Sequence, residues 1–233
     1  MIAIVSSTIQ PLANPGQTIS FYTFEERIEQ TKQTLTALRR CGFTKIFLVD
    51  NSPLLARGQI QSVLAGFPEL EVHHLLQYQF QNKGINELLM LLYMVAYLPA
   101  NKNIFKISGR YCPDPSFVKP EFNDFAIKGY RYHSKLGTIS TRGYWVKDTE
   151  VMHRFLLGSL NEIFSYPRRI VGLRSLYNKM KGVLGKHPPL INISIEFAAA
   201  NTLKRENYRV TLLDHLGIEG YIAGADKMER ITE

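Results

Sequence analysis

Two short polar stretches carry residue types that bind phosphate groups. The first, residues 81–87, places a glycine and two asparagines at what reads as a helix start, and the second, residues 104–111, is an apolar strand that ends in Gly-Arg-Tyr. In an open α/β sheet, ligands bind beyond the carboxyl ends of strands and at helix N-termini. We therefore expect both stretches to lie at one edge of one sheet, within reach of a phosphate-bearing ligand.

The first hundred residues alternate between short apolar stretches and segments with helical spacing. The pattern predicts strands over 2–6, 45–50, 70–76 and 103–107, and helices over 25–40, 54–64 and 86–98. Acidic residues begin the helix over 25–40 and Arg39-Arg40 end it, which suits the helix dipole. This order predicts an α/β fold whose mostly parallel, Rossmann-like sheet is flanked by helices.

The remaining residues follow a looser pattern. We expect a proline-rich loop over 111–120, strands over 137–146 and 208–213, and helices over 148–160, 165–186 and 191–203, the first of them capped by Asp148. The strand over 137–146 is a candidate for an antiparallel arrangement. This half is therefore expected to be more helical and irregular. No repeat or low-complexity linker divides the chain, which favours a single domain over 1–233.

Composition narrows the class of protein. The chain of 233 residues is 45% apolar and 21% charged and has no long uncharged apolar run, which is typical of a globular protein without a transmembrane helix. The apolar start at 1–6 is expected to be a strand rather than a signal peptide. Two cysteines are too few for a disulfide framework or a zinc site. These features predict a cytoplasmic protein.

The excess of positive over negative charge is confined to the second part of the chain. Residues 1–100 hold seven Lys/Arg and seven Asp/Glu, whereas residues 101–233 hold 21 and 13, which accounts for the net charge of +8. Such a balance suits nucleotide phosphates, an acidic lipid surface or nucleic acid, or else a solvated surface without a partner. No nucleic-acid partner is expected, because the chain shows no helix-turn-helix, ribonucleoprotein or zinc-finger pattern. A basic nucleic-acid-binding protein is kept only as an alternative.

Four stretches, in this order, resemble the nucleotide-sugar glycosyltransferases of the GT-A fold, broadly the family 2-like enzymes of bacterial polysaccharide and lipopolysaccharide synthesis. They are Ser6-Ser7-Thr8, Val49-Asp50-Asn51-Ser52, Asn82-Lys83-Gly84-Ile85-Asn86 and Phe105-Lys106-Ile107-Ser108. The resemblance covers roughly residues 1–115. It implies a GT-A-like fold with a donor half over 1–115 and an acceptor-side half over 116–233, a nucleotide-sugar donor, and a saccharide or lipid-linked acceptor.

The resemblance also implies which residues bind the donor. The family places its nucleobase loop after the first strand, a base- or ribose-binding aspartate after the second, and an Asn/Gly-rich helix start along the donor. The corresponding residues here, together with cations in and after the fourth strand, are Ser6, Ser7, Asp50, Asn51, Asn82, Lys83, Asn86, Lys106 and Arg110. Structural alternatives stay open: residues 50–53 also form a turn sequence, the asparagines suit helix caps, and Arg110 suits an ion pair with Glu87.

The chain departs from the family where two aspartates normally hold a divalent cation. Ser108-Gly109-Arg110 stands in place of the Asp-x-Asp sequence. A guanidinium cannot bind a metal, but it donates a fork of hydrogen bonds to phosphate oxygens. We therefore predict that Arg110, with Lys106 or Lys83, replaces the cation, so that transfer needs no cofactor, neither Mn²⁺ nor Mg²⁺. Asp114 is the candidate ligand for the alternative, in which a metal does bind.

Sugar transfer with inversion of configuration needs a general base for the acceptor hydroxyl. Glu196 is one candidate, because it is an isolated acid within the apolar segment 191–200 and burial would raise its pKa. The alternative is a glutamate on the exposed face of an ordinary helix. His133 is a second candidate base. Inverting and retaining transfer both remain open.

Residues 165–186 combine six Lys/Arg and no acid with apolar residues at helical spacing. Such a helix can lie on an anionic membrane, or it can pack against the core with a basic solvent face. The sequence thus predicts a glycosyltransferase of cell-surface polysaccharide synthesis, cytoplasmic or peripheral at the inner face of the membrane. The alternative is a non-catalytic GT-A-like domain that binds a nucleotide or saccharide.

Overall fold

The computed structural model describes residues 1–11, 22–80, 82–130, 132–133, 137–165, 193–221 and 230–233. Its first half contains β1 (Ile2–Ser7), α1 (Phe24–Arg40), β2 (Lys45–Asp50), α2 (Arg57–Val63), β3 (Leu70–His74), α3 (Lys83–Val95) and β4 (Ile104–Ser108). All seven predicted elements are confirmed. Helix α3 begins at Lys83 rather than at Asn86, because the Asn82 side chain caps it by accepting a hydrogen bond from Gly84 N at 2.9 Å.

The second half contains β5 (Tyr111–Pro113), β6 (Phe125–Tyr130), β7 (Thr138–Val146), α4 (Thr149–Ser165), α5 (Ile195–Arg205), β8 (Val210–Leu213), β9 (Ile218–Tyr221) and β10 (Arg230–Thr232). The predicted β7, α4, α5 and β8 are confirmed, and Asp148 caps α4 as predicted, with Oδ1 accepting from Val151 N at 2.9 Å. The predicted loop over 111–120 is wrong at its start, where β5 forms. Strands β6, β9 and β10 were not predicted. The predicted basic helix over 165–186 lies outside the described residues from 166 onward.

Seven of the described strands form one sheet in the order β3-β2-β1-β4-β7-β6-β8. Strands β1 to β4 are parallel, β7 is antiparallel to both of its neighbours, and β8 is parallel to β6. Strand β6 therefore points the same way as β4. A smaller antiparallel sheet joins β5, β9 and β10. The predicted α/β fold with a mostly parallel sheet flanked by helices is confirmed.

Each face of the large sheet has its own apolar core, because successive strand residues point to opposite faces. Helices α3, α4 and α5 pack on the face that carries Ile4, Phe47 and Phe125. Helix α1, α2 and the small sheet cover the other face, which carries Val5, Leu48 and other apolar residues. Within the described ranges, none of these helices is long and apolar enough to cross a membrane.

Candidate functional site

The carboxyl ends of β1, β2 and β4 lie side by side and bring several predicted site residues together. Ser7 is opposite Asp50 in the β1–β2 register, and Ser6 adjoins the end of β4. Arg110 follows β4 by two residues, and Lys83 opens α3, which packs across β1 and β2. The predicted donor residues therefore meet at one edge of the sheet, which we call the carboxyl edge.

Asp50 and Asn51 are buried and bind the chain that follows β1. Asp50 Oδ2 accepts a hydrogen bond from Ile9 N at 2.9 Å, and its Oδ1 accepts one from Ser52 N at 2.7 Å. Asn51 Oδ1 accepts one from the Thr8 hydroxyl at 2.6 Å. These bonds agree with the turn alternative for residues 50–53, and they hold Thr8 and Ile9 against the end of β2. A direct contact of either side chain with a donor stays a prediction.

Both asparagines at the start of α3 have structural partners. Asn82 caps the helix, and its Nδ2 also donates to Ile193 O at 2.9 Å, which ties α3 to the segment before α5. Asn86 accepts from Phe80 N and donates to Phe80 O, both at 2.9 Å. The two side chains therefore hold the approach to α3 in place. The lysine between them is exposed at the helix N-terminus.

A tight turn after β4 presents Arg110 at the carboxyl edge. Gly109 N donates to Ser6 O at 2.9 Å, and Arg110 N donates to Ser108 O at 2.8 Å. Across the described residues, the Arg110 guanidinium makes no hydrogen bond or ion pair. The alternative ion pair with Glu87 is absent there, because Glu87 pairs with a lysine of β4 instead. The Arg110 side chain is thus left without a protein partner in the described part of the chain.

Arg27 of α1, Lys83 and Arg110 form a cluster of three positive charges, which we call the cation cluster. Arg27 is 9% exposed, its Nη1 donates to Thr8 O at 2.6 Å, and its Nε is buried with no hydrogen-bond partner among the described residues. Burial and then the charge of Arg110 lower the pKa of Arg27 to about 10. Burial and the charges of Arg110 and Arg27 also lower the pKa of Lys83. None of the three makes an ion pair with another described residue, so positive charge predominates in this part of the structure.

The surroundings of the cation cluster favour an anion with several oxygens. Two guanidinium groups offer planar sets of donors, and the N-terminus of α3 adds its own positive potential at Lys83. The carboxylate of Asp50 is close enough to raise the pKa of Arg27, but its oxygens already accept hydrogen bonds from the backbone. One buried acid beside three cations leaves room for at least one further negative charge.

Lys106 lies beneath the carboxyl edge and not on it, which differs from its predicted role as a phosphate ligand. Its ammonium is fully buried, pairs with Glu87, and donates to Thr141 O at 2.5 Å and to Ser108 Oγ at 3.3 Å. The Ser6 hydroxyl donates to the same Glu87 oxygen at 3.1 Å. The Lys106–Glu87 ion pair and this hydrogen bond thus link α3 to β4 and β1 beneath the carboxyl edge. The ammonium is not presented to a ligand because protein groups surround it.

The two candidate bases lie in different places. Glu196 is half-buried in the first turn of α5, next to Ile195, whose Cβ would lie 2.8 Å from a Cβ added at Gly84. This packing brings the start of α5, with Glu196, to the start of α3. His133 is exposed, and its ring packs edge-on against Tyr132 at 5.4 Å, a side chain that contacts the other end of α5. The structure therefore brings Glu196 to the start of α3 and associates His133 with the opposite end of α5.

Asp114, the candidate metal ligand, lies away from the cation cluster. Its Oδ1 accepts from Ser116 N at 2.7 Å and from the Ser116 hydroxyl at 2.5 Å. Burial and then the charge of Asp114 raise the pKa of Cys41, which follows the far end of α1. The described residues contain no group of three His, Cys, Asp or Glu arranged to hold a metal ion.

Arg27 and Glu87 were missed in the sequence. Arg27, Thr31, Thr34 and Leu38 recur at helical spacing on the buried side of α1. Arg27 is a charged residue on this stripe, one turn after a helix start at the carboxyl edge. That position was the signal in the sequence that could have identified it. Glu87 gave no signal of its own, since its pairing depends on the packing of α3 against β4.

No family model matches the chain, and no curated protein matches it. Among solved structures, the chain is similar to a nucleoside-diphosphate-sugar pyrophosphorylase from Vibrio cholerae RC9, with a TM-score of 0.51, 11% identity, and coverage of 97% of this chain and 96% of the other. It is also similar to the galactosyltransferase LgtC in complex with donor and acceptor sugar analogues, with a TM-score of 0.49, 6% identity, and coverage of 94% and 86%. The likeness to the Vibrio cholerae protein shows a shared fold at full length.

Proposed function

We propose that this chain is a glycosyltransferase that binds the phosphates of a nucleotide-sugar donor with Arg27, Lys83 and Arg110. The acceptor would be a saccharide or lipid-linked saccharide of a cell-surface polysaccharide. The observation that carries the proposal is the cation cluster: three cations without an ion pair in the described residues meet at the carboxyl edge of a parallel sheet. This edge is where open α/β folds bind their ligands.

The cation cluster suits the chemistry of sugar transfer. The acceptor hydroxyl attacks the anomeric carbon, and the bond from that carbon to the phosphate oxygen breaks with its electron pair remaining on the nucleoside diphosphate. The leaving group therefore gains negative charge as the bond breaks. A positive group that is already in place and buried, as Arg27 is, stabilises that charge without reorganising. In this proposal Arg110, Arg27 and Lys83 take the part that a divalent cation plays in the family that the sequence resembles.

Glu196 is the proposed base for an inverting reaction. Its support is its place at the start of α5, which packs against the start of α3, where Lys83 lies. It would accept the proton of the acceptor hydroxyl as the new bond forms. His133 is excluded from this role in the proposal, because its ring contact lies near the other end of α5.

The first test is a thermal-shift panel of nucleoside mono- and diphosphates, each with Mn²⁺ and with a chelator. A ligand at a hundred times its dissociation constant stabilises by about 2.7 kcal/mol, which is roughly 5–10 °C for a chain of this size. We expect one nucleoside diphosphate to raise the melting temperature equally under both conditions. The shift should be lost in Arg110→Ala and kept in Arg154→Ala, an exposed arginine of α4.

The second test separates the competing activities with the nucleotide that the panel identifies. A glycosyltransferase releases that nucleoside diphosphate from its sugar donor, and release rises with a suitable acceptor. Release of pyrophosphate from a nucleoside triphosphate and a sugar phosphate would instead point to the activity that the name of the Vibrio cholerae protein states. Binding without either release would favour a non-catalytic domain. No shift with any nucleotide would refute the proposal, and affinity for long polyanions that falls steeply with salt would favour nucleic-acid binding.

A further inference from the structure

Two threonines of α1 bind the backbone on either side of Arg110. The Thr34 hydroxyl contacts Tyr111 O at 2.9 Å and its own helix at Gln30 O at 3.0 Å. The Thr31 hydroxyl contacts Gly109 O at 3.4 Å. Each hydroxyl has one hydrogen to share between a carbonyl of α1 and a carbonyl of the turn after β4. Thr34 is fully buried and makes the shorter contact with the turn, so its hydrogen bond is the stronger of the two.

The turn that carries Arg110 is also confined from other sides. A Cβ at Gly109 would lie 3.3 Å from Val5 Cγ1, so the turn packs closely on β1. A Cβ at Gly220 of β9 would lie 2.6 Å from Arg110 O and 2.4 Å from Tyr111 Cδ1. The backbone of Arg110 is thus held between α1, β1 and β9. A change in any one of these contacts shifts the base of its side chain.

Electrostatic repulsion between Arg27 and Arg110 acts against these contacts. Arg27 lies one helical turn before Thr31 on the same side of α1, and the charge of Arg110 lowers its pKa. In the absence of an anion, the two guanidinium groups push α1 and the turn apart. The contacts from Thr31 and Thr34 join the same two segments and resist that separation. The helix that supplies one cation therefore also holds the turn that supplies another.

We propose that Thr34, assisted by Thr31, is a positioning residue that fixes the distance between Arg110 and Arg27 for binding a diphosphate. This inference rests on the proposed function, because it assumes that the cation cluster binds phosphate groups. Loss of the hydroxyl leaves both cations in the protein but releases the turn from α1. Affinity for a diphosphate then falls although no ligand-binding group has been removed.

The test measures the affinity of inorganic pyrophosphate for the full chain by titration calorimetry at low ionic strength. Thr34→Val replaces the hydroxyl with a methyl group of similar size, and we expect about tenfold weaker binding. Thr34→Ser restores the hydroxyl and should bind within about twofold of the wild type. Thr36→Val is the matched control, because its hydroxyl bonds only to Lys32 O, at 2.8 Å, within α1.

A double-mutant cycle with Arg110→Gln distinguishes positioning from a general effect on the fold. If Thr34 acts through Arg110, Thr34→Val has no further effect on pyrophosphate affinity in the Arg110→Gln background. Equal losses in both backgrounds, or no loss in Thr34→Val, would overturn the inference while leaving the proposed function standing. A wild-type chain that binds neither pyrophosphate nor any nucleotide would refute the proposed function, and this inference with it. Circular dichroism of each variant checks that it is folded. If Thr34→Val is unfolded, Thr34→Ser keeps the test decisive.

Discussion

Replacing Arg27 with methionine should stabilise the unliganded protein and abolish its response to phosphate ligands. Arg27 is nearly buried, and burial and the neighbouring Arg110 lower its pKa to about 10. The charged form is therefore less favourable in the folded chain than in the unfolded chain. This cost is complete below pH 10 and disappears as the pH rises above 10, so it is fully present at neutral pH.

The size of the effect follows from two opposing contributions. A lowering of about 2.5 pKa units corresponds to roughly 3 kcal/mol, since one unit is about 1.4 kcal/mol. Methionine keeps an unbranched side chain in the buried position but loses the hydrogen bond from Nη1 to Thr8 O, which contributes about 1–2 kcal/mol. The net gain expected for Arg27→Met is about 1–2 kcal/mol, or roughly 2–8 °C in melting temperature for a chain of this size.

Urea unfolding of the wild type, Arg27→Met and Arg154→Met measures this difference at pH 7.5, with and without pyrophosphate. Arg154 has a side chain that is 59% exposed, so its replacement should change the free energy of unfolding by less than about 0.5 kcal/mol. Pyrophosphate should stabilise the wild type and Arg154→Met but not Arg27→Met. A less stable Arg27→Met would refute the reasoning, because it would show that Arg27 is held by structural interactions that outweigh its burial and its repulsion from Arg110.

Three further outcomes are expected. Lys106→Met should lower the free energy of unfolding by about 2–3 kcal/mol in urea, because it leaves the Glu87 carboxylate without its buried partner, and the double variant with Glu87→Leu should recover most of that loss. Gly220→Ala should weaken nucleotide binding in calorimetry, since the new Cβ would lie 2.4 Å from the tyrosine ring that begins β5; Gly58→Ala, with nothing within 4 Å, should leave binding unchanged. Burial and a carboxylate hydrogen bond raise the pKa of Tyr130 to about 12, so stability from this residue persists below pH 10 and is lost between pH 10 and 12. A spectrophotometric titration in which Tyr130→Phe removes an ionisation near pH 10 would contradict that value.

The local sequence pattern was enough to predict the elements that bury a whole stripe or run of apolar residues. Strand β2 was predicted with its observed bounds, because a continuous apolar run is enclosed between a lysine and an aspartate. Helix α1 was predicted from its acidic first turn and basic last turn, and the structure adds a capping box at Thr23. Strands β5 and β9 escaped prediction because they are short and contain a proline and a glycine. Such strands form through pairing with each other and not through a pattern of their own.

The same distinction applies to the candidate site. The order of elements placed Lys83 and Arg110 at one edge, because they stand at a helix start and after a strand, and their binding role stays a prediction. Arg27 was missed because a charged residue within an amphipathic helix normally faces water, whereas here it is buried near Arg110. Lys106 was predicted at the ligand site but is buried, for a related reason. Its partner, Glu87, comes from another element. Sequence order indicates which edge a residue occupies, but the pairing of buried charges depends on how helices and strands pack.

The position of β1 between β2 and β4 has a consequence for the order in which the chain folds. Strand β1 pairs with β2 on one side and β4 on the other, so its second partner is synthesised about a hundred residues after it, several seconds later on a ribosome. During that interval one side of β1 exposes unpaired backbone groups, the kind of edge that pairs with other chains. Docking of β4 closes this edge and in the same step moves Arg110 towards Arg27, against their repulsion. Because a bound anion would offset that repulsion, pyrophosphate in the refolding buffer should raise the yield of native protein.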